Sequence, residues 1–330
     1  MSKLSTLVVL AAIAAGGAYC YMNYQFKVKR DKDGRLECVM ITPRDAAEGS
    51  AGSGQPLQNA SVRIGTFNLG GLDEKKLARR PIADVLTRLL PQFDIVALQD
   101  IRARNQGVLV RLVEQINAAT GRTYRSVAGG DFGHDPAGRY GAFLFDTSRI
   151  AIDHALANPV DDPAKLFRHK PLVASFRVLG PEKTMAFTFK LVNVHTDPDR
   201  AAAELDRLAD VFRAVRQDGS NEDDVIILGQ FAADEKHLGR LGKLLDITSA
   251  IAEVPTTLRA SGPVDNILFD RRATSEYRGR AGVMDLMREF DLTMREALEV
   301  SDHLPVWAEF SSYEGGQYGH TAGRGHRATR

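Results

Sequence analysis

The chain between Ser61 and Phe310 consists of short apolar runs separated by polar and Gly-containing segments. Runs that predict buried or half-buried strands lie at 62–69, 94–99, 140–146, 172–178, 185–195, 225–228, 266–269 and 305–310. Apolar residues at helical spacing predict helices within 74–90, over 107–121 with an end at Gly121, and near 200–216. Adjacent strands mixed with a few helices indicate an α+β sandwich rather than a regular parallel βαβ array.

The N-terminal segment has a different pattern. No charged side chain occurs from Leu4 through Phe26, and a basic cluster follows directly. The length is near the roughly 20 residues that span a bilayer, so we predict a retained membrane anchor over 1–26. The small residues of "AAIAAGGA" leave cleavage as a signal peptide open. A signal anchor would place the protein on the exported side of a bacterial-type inner membrane, and cleavage would make it secreted; the basic cluster alone favours the cytoplasmic side.

Four further regions follow the anchor. The segment 27–44, with "DKDG" between two strand-like runs, predicts a short β-hairpin element. The small and polar residues of 45–60 predict a flexible linker. The main domain is expected over 61–310, and the Gly-, His- and Arg-rich segment 311–330 is expected to be a disordered tail.

Composition restricts the chemistry only a little. The chain has 43 basic and 42 acidic residues and a formal net charge of +1, so no overall basic field draws it to nucleic acid. Its two cysteines, Cys20 and Cys38, both precede the main domain. A disulfide framework or a cysteine-based zinc site in that domain is therefore excluded.

Polar residues recur at the ends of the predicted strands. Asn68, Asp100, His195 and Gln230 each follow an apolar run, and Asp302 and His303 precede the last strand. Each residue alone has an ordinary explanation as a turn or structural residue. Together they predict one site, because rigid strands hold the side chains at their tips while loops leave them accessible. In "VIILGQFAAD" we expect a sharp turn at Gly229, with Gln230 where a carboxylate would suit.

The motifs between Val62 and Phe310 resemble, in unbroken order, those of the endonuclease/exonuclease/phosphatase superfamily, the fold of deoxyribonuclease I. The matching segments are "IGTFNLGGL", "DIVALQDIR", "LVNVHTDPDR", "PVDNILFD" and "SDHLPVWAEF". The resemblance implies two packed β-sheets flanked by helices in a four-layer sandwich. It also implies hydrolysis of a phosphodiester with Mg²⁺ or Mn²⁺.

The resemblance assigns roles to individual residues. It implies metal ligands at Asn68, Asp100 and Asp302. It implies that His195 acts on the phosphate or the leaving oxygen, and that Asp265 orients His303 as an acid or base. Substrate contacts are implied at Arg102 and Tyr140.

Several positions depart from the family pattern. The family's Gly-Asp-Phe-Asn is "GQFA" at 229–232, so Gln230 replaces the water-activating carboxylate and Ala232 replaces the phosphate-binding amide. Asp100 stands in place of Glu, and Gly138 stands where an acidic partner of His195 is expected. Val264 and Asn266 flank Asp265 where Tyr and Arg are usual.

Three interpretations remain at the level of sequence. In the first, the chain is an active metal-dependent phosphodiesterase in which Asp234 supplies the missing carboxylate. In the second, it is a catalytically impaired relative that binds its ligand. In the third, it is a structural envelope protein whose polar strand-end residues only form turns. A cap on a following helix is the other expectation for Asp234. We favour impaired catalysis, with nucleic acid rather than a phospholipid or inositol phosphate as substrate, because "QDIR" and "NVHTDP" resemble the nuclease branch.

Overall fold

The computed structural model describes residues 24–30, 36–43, 60–103, 105–129, 138–260 and 262–316. The chain divides into two units, 1–56 and 57–330. In the first unit, β1 (Tyr24–Arg30) pairs antiparallel with β2 (Leu36–Pro43). Most of the predicted anchor, linker and tail lies outside the described residues, at 1–23, 44–59 and 317–330. None of the helices in the described part of the chain has the length and apolar character needed to span a membrane.

The second unit contains two six-stranded sheets. The first sheet contains β3 (Ser61–Leu72), β4 (Ile95–Arg102), β5 (Tyr124–Ala128), β6 (Arg139–Asp146), β13 (Tyr277–Val283) and β14 (Val306–Ser311), in the order β13-β14-β3-β4-β6-β5. The second contains β7 (Ile150–Pro159), β8 (Leu172–Val178), β9 (Thr188–His195), β10 (Val225–Gln230), β11 (Ile247–Ser249) and β12 (Asp265–Asp270), in the order β11-β12-β10-β9-β8-β7.

Helices cover the outer faces of both sheets. They are α1 (Glu74–Leu77), α2 (Arg80–Leu89), α3 (Gly107–Thr120), α4 (Ala201–Arg216), α5 (Leu286–Phe290) and α6 (Met294–Val300). One apolar cluster lies between the two sheets, a second between the first sheet and α2, α3, α5 and α6, and a third between the second sheet and α4. The predicted α+β architecture of two packed sheets flanked by helices is therefore confirmed.

Local sequence signals fix the ends of several helices. Asp73 caps α1 by accepting a hydrogen bond from the Lys76 amide, and Thr293 forms a capping box with Glu296 at the start of α6. Gly121 ends α3 in the left-handed conformation at φ 67°, as the sequence predicts. The helical segment 74–90 is interrupted after Leu77, and Pro81 lies in the first turn of α2, where its missing amide hydrogen costs nothing.

Gly229 does not form the sharp turn that the sequence predicts. Strand β10 continues through Gly229 to Gln230, paired in parallel with β9. Gly229 has φ 142°, and a Cβ atom there would lie 2.0 Å from the carbonyl oxygen of Val194. The glycine is required because the neighbouring backbone approaches too closely for any side chain.

The described chain extends past the expected domain end at Phe310. Strand β14 ends at Ser311, Tyr313 forms a bridge with Ala186, and a short 3₁₀ turn covers Glu314–Gly316.

Candidate active site

The ends of parallel strands bring the predicted residues to one edge of the sandwich. In the first sheet β3 and β4 run parallel, and in the second sheet β9 and β10 run parallel. Gln230 lies opposite His195 on β9 and opposite Asp265 on β12. Asn68 of β3 donates from Nδ2 to Oε1 of Gln230 at 2.5 Å, so this hydrogen bond joins the two sheets at the site.

His303 is held from the loop between α6 and β14. Its Nδ1 lies 2.7 Å from Oδ2 of Asp265, and its backbone amide donates to Oγ of Ser301 at 3.0 Å. The Ser301 hydroxyl donates to the Asn68 carbonyl oxygen at 2.7 Å. Burial would lower the pKa of His303, but the hydrogen bond and charge of Asp265 outweigh it and raise that pKa. The hydrogen bond to Asp265 therefore favours the protonated form of His303, while burial raises the pKa of Asp265.

Thr256 orients the carboxylate of Asp265 and was not found from the sequence. The Thr256 hydroxyl donates to Oδ2 of Asp265 at 2.9 Å and accepts from the Val264 and Asp265 amides at 3.0 Å each. The Thr256 side chain is fully buried. A buried hydroxyl with these partners fixes the aspartate independently of the missing Tyr-Asp-Arg pattern.

Asp100 lies in an irregular part of β4 with φ 53°, a conformation that Asp tolerates better than most residues. Arg102 donates to both of its oxygens, from Nε at 3.1 Å and from Nη2 at 3.0 Å, and Nε of Arg139 lies 3.4 Å from Oδ1. Burial alone would raise the pKa of Asp100, yet the hydrogen bond from Arg102 and the positive charges nearby hold it below its usual value. The structure thus places Arg102, a predicted substrate contact, as the partner of a predicted metal ligand.

His195 has a basic rather than an acidic environment. Its ring stacks on the ring of His169, with centroids 4.4 Å apart and planes 13° apart. Burial, His169 and Arg139 lower the pKa of His195 to about 3. The imidazole is therefore neutral at pH 7 and can accept a proton far less readily than an ordinary histidine. The basic "RHK" at 168–170 is the sequence signal that would have pointed to this neighbour.

Lys76 is a further cation at the site. Its ammonium donates to the carbonyl oxygens of Leu69 at 2.7 Å and Gly70 at 2.9 Å. Burial lowers the pKa of Lys76 to about 8 against the opposing effect of Asp100 and Asp302. The ammonium therefore lies within electrostatic reach of both carboxylates that the sequence assigns to a metal.

Two further residues that the sequence predicts for the site, Asp302 and Tyr140, differ in their exposure. Asp302 is exposed next to His303. Tyr140 is 7% exposed, packs in the core beneath the helices and donates to the Asn105 carbonyl oxygen at 3.4 Å, and its exposed part lines a cavity beside His169.

Asp234 does not cap a helix, because turns follow it. Its Oδ1 lies 2.6 Å from Nδ1 of His237 and accepts from the Lys236 amide at 2.9 Å. The carboxylate is thus engaged within its own turn.

A cationic cavity of about 260 Å³ opens beside His169. Its charged lining residues are Arg139, Asp162, Lys165, Arg168, Lys170 and Arg200. Both oxygens of the single acid, Asp162, accept backbone amides at 2.9 Å, from Leu166 and Phe167. Five basic side chains therefore surround a space next to the His169–His195 pair, and such a lining favours an anion.

Comparison with known proteins finds relatives that are deoxyribonuclease-1-like proteins. The chain matches no protein-family profile. It is 33% identical over 262 residues to deoxyribonuclease-1-like 1 of Cricetulus griseus, covering 76% of this chain and 84% of that protein. It is 28% identical over 265 residues to deoxyribonuclease-1-like 2 of Mus musculus, covering 77% of this chain and 93% of that protein.

Solved structures share the fold at lower identity. The complex of D. rerio TDP2 with single strand DNA product has a TM-score of 0.55 and 15% identity, covering 77% of this chain and 100% of that chain. The endonuclease/exonuclease/phosphatase from Bacteroides vulgatus has a TM-score of 0.53 and 13% identity, with the same coverage of 77% and 100%. Fold, motif order and relatives define a protein of the endonuclease/exonuclease/phosphatase superfamily. Within that superfamily, the chain belongs to the deoxyribonuclease-1-like family.

Nucleases of this kind generally depend on a divalent metal, but the residues of this chain do not fit a tightly held Mg²⁺ or Mn²⁺. Such ions need several oxygen ligands, with carboxylates to balance their charge. Both oxygens of Asp100 are engaged by Arg102, and Gln230 is a neutral amide bound to Asn68. With the Lys76 ammonium nearby, the local charge opposes a second cation.

Proposed function

We propose that this chain is a membrane-anchored, nucleic-acid-binding member of the deoxyribonuclease-1-like family whose hydrolytic step is impaired. The observation that carries this proposal is the hydrogen bond from Asn68 to Gln230. An amide stands where hydrolysis needs an ionised carboxylate, and it is bound to the neighbouring side chain. The carbonyl oxygen of Gln230 cannot take a proton from water at a useful pH.

The charges around Gln230 support the same conclusion. Asp100 is neutralised by Arg102, and His195 has a pKa of about 3, so it carries no proton to give to a leaving oxygen at neutral pH. A positioned acid or base typically contributes roughly 10²–10⁴-fold to a rate. Losing the carboxylate and the protonated histidine together would leave a slow enzyme.

The cationic cavity supports binding of a polyanion. Its five basic residues provide contacts for phosphate groups, which carry much of the affinity of proteins for nucleic acid. The relatives are named deoxyribonucleases, and D. rerio TDP2 is described with a single strand DNA product. Single-stranded DNA is the substrate class that we propose, and another phosphodiester is the alternative.

The test of impaired hydrolysis is the double change Gln230→Asp with Ala232→Asn. It restores a carboxylate and a phosphate-binding amide, so cleavage of DNA in Mg²⁺ should rise by about 10²-fold or more over the unaltered protein. The rise should disappear when Asp302→Ala is added, which excludes a contaminating nuclease. Turnover of the unaltered protein at roughly 1–10³ s⁻¹, lost on Asp302→Ala, would refute the proposal.

A purely non-catalytic binding module is the second candidate, and the pairing of Asp100 with Arg102 and Arg139 favours it. The same double variant separates the two. If it stays inactive while the unaltered protein binds DNA, the chain is a binding module.

The proposed membrane location rests on the uncharged run at 4–26. Full-length protein should resist carbonate extraction from membranes, and deletion of residues 1–26 should release it. A mature N-terminus mapped between Ala15 and Tyr21 would show cleavage and contradict the anchor.

A further inference from the structure

Three carboxylates converge at the opposite end of β10 from Gln230. Asp224 directly precedes β10, Glu276 directly precedes β13, and Glu314 lies in the 3₁₀ turn after β14. One oxygen of each lies within 4.8 Å of the others. At about 3.3 Å per strand residue, the cluster is roughly 20 Å from Gln230, so it is separate from the candidate active site.

Two of the three carboxylates are buried without full hydrogen bonding. Asp224 is 1% exposed and Glu276 is 2% exposed. Oδ1 of Asp224 and Oε2 of Glu276 have no hydrogen-bond partner among the described residues. Buried carboxylate oxygens are normally hydrogen-bonded or bound to a cation, so these two oxygens call for a partner.

Two of the other oxygens in the cluster accept backbone amides. Oε1 of Glu276 accepts from Gly315, and Oε2 of Glu314 accepts from Thr188 at 3.2 Å. Across the residues that the structure describes, none of the three carboxylates forms a salt bridge. Within the described part of the chain, no arginine or lysine therefore forms an ion pair that would balance the repulsion between them.

A proton shared among the three carboxylates is the alternative to a bound cation. Burial and the neighbouring Glu276 raise the pKa of Asp224 to about 9. Burial also raises the pKa of Glu276 and of Glu314. Without a cation, the cluster must hold a proton at neutral pH, and a shared proton is the rival explanation for its stability.

The ligand chemistry of the cluster favours a hard divalent cation, because carboxylate oxygens are the ligands that such ions prefer. One oxygen of each carboxylate lies within 4.8 Å of the others, so a single ion could contact all three. Mg²⁺ demands near-octahedral geometry, whereas Ca²⁺ accepts six to eight oxygens in irregular arrangements, including water on the exposed side of Glu314. We therefore take Ca²⁺ as the ion to test.

We propose that Asp224, Glu276 and Glu314 form a structural calcium site that joins the two sheets at the end remote from the candidate active site. Asp224 directly precedes a strand of the second sheet, and Glu276 and Glu314 flank strands of the first. A bound ion would therefore tie the edges of the sandwich together. This site is independent of whether the chain hydrolyses DNA.

The test is calcium binding by the full chain in detergent, measured by calorimetry and by thermal unfolding after removal of divalent ions. We expect one Ca²⁺ per chain and a higher unfolding midpoint in Ca²⁺ than in EDTA. The double variant Asp224→Asn with Glu276→Gln should lose both Ca²⁺ binding and the rise in unfolding midpoint. In EDTA its unfolding midpoint should be higher than that of the unaltered chain, because the repulsion between the carboxylates is gone. Because Glu314 is exposed, Glu314→Gln poses little risk to folding. This change should weaken Ca²⁺ binding at least tenfold.

The matched control is Asp302→Asn at the candidate active site, which should keep the calcium effect. No binding by the unaltered chain at millimolar Ca²⁺ would overturn the proposal and leave the shared proton as the explanation. Binding that survives Asp224→Asn with Glu276→Gln, or that is lost in Asp302→Asn, would overturn it as well.

Discussion

Ala232 adopts a backbone conformation that its side chain does not favour. Its φ is 54°, in the left-handed region that Asn and Gly adopt more readily than Ala. Asn, which the family pattern has at this position, tolerates this conformation better than Ala does. The backbone at position 232 is therefore compatible with the side chain of the family motif.

This strain gives a stability prediction. Ala232→Gly should raise the free energy of unfolding by about 0.5–1 kcal/mol, since relief of the left-handed strain exceeds the added entropy of the unfolded chain. The control is Ala233→Gly at a neighbouring position without positive φ, which should lower it by about 0.5–1 kcal/mol. Urea unfolding of both variants measures the difference. Equal destabilisation by the two changes would contradict the strain at Ala232.

The order of the sequence motifs predicts some of the contacts in the site but not others. Asn68, Gln230 and His195 converge as their positions at strand ends predict. The pairing of Arg102 with Asp100 and the stacking of His169 on His195 were not predicted. Both contacts depend on side-chain directions in irregular or separate segments, which the order of motifs does not contain.

At the scale of elements, a polar network ties β4 to β9 inside the sandwich. Nε2 of Gln99 donates to Oδ1 of Asn193 at 2.8 Å, and Nδ2 of Asn193 donates to the carbonyl oxygens of Leu98 and Ala142 at 3.0 Å each. Asn193 is 4% exposed. Because His195 and Asp100 lie one or two residues beyond, this network sets the distance between the two strands at the site.

Removal of this network should therefore lower the stability of the fold. Asn193→Ala removes the side-chain donor to two buried carbonyl oxygens and one of the acceptors of the Gln99 amide, and should lower the free energy of unfolding by about 2–4 kcal/mol. The exposed Gln217→Ala at the end of α4 is the control and should change it by less than about 0.5 kcal/mol. Denaturant unfolding tests this. A loss below about 1 kcal/mol for Asn193→Ala would show that the network contributes little.

The sequence predicts the buried strands well, but it does not predict several short or irregular elements. Every strong apolar run gave a strand, since burial on both faces leaves a continuous signal. β13, with the sequence "YRGRAGV", was missed because an edge strand with exposed arginines and two glycines has no clear alternation. β5, β7, β11, α5 and α6 were also missed, and each is short or has a mixed pattern whose fold is imposed by its neighbours.

At the scale of the whole molecule, a net charge of +1 means that attraction to DNA must come from a local surface. The cationic cavity beside His169 is the surface that we propose for this contact. Because binding would release counterions from a few phosphates, the affinity for single-stranded DNA should fall with salt. With about three to five contacts, the slope of log K against log salt should be about −2 to −4.

Charge reversal distinguishes the cavity from the rest of the surface. Lys165→Glu with Arg168→Glu should weaken DNA binding and reduce the steepness of the slope by about 1–2. Arg272→Glu, beyond the end of β12 remote from Asp265, is the matched control and should leave binding unchanged. Fluorescence anisotropy over a salt series measures both. Equal loss in the two variants would place the binding surface elsewhere.

The fixed backbone at the end of β10 has an evolutionary consequence. Gly229 cannot accept a side chain, and Ala232 keeps a conformation suited to Asn. Under the impaired hydrolysis that we propose, substitutions at positions 230 and 232 alone would be the evolutionary route to the family motif, because Gly229 and the left-handed backbone at position 232 already accommodate its Gly and Asn.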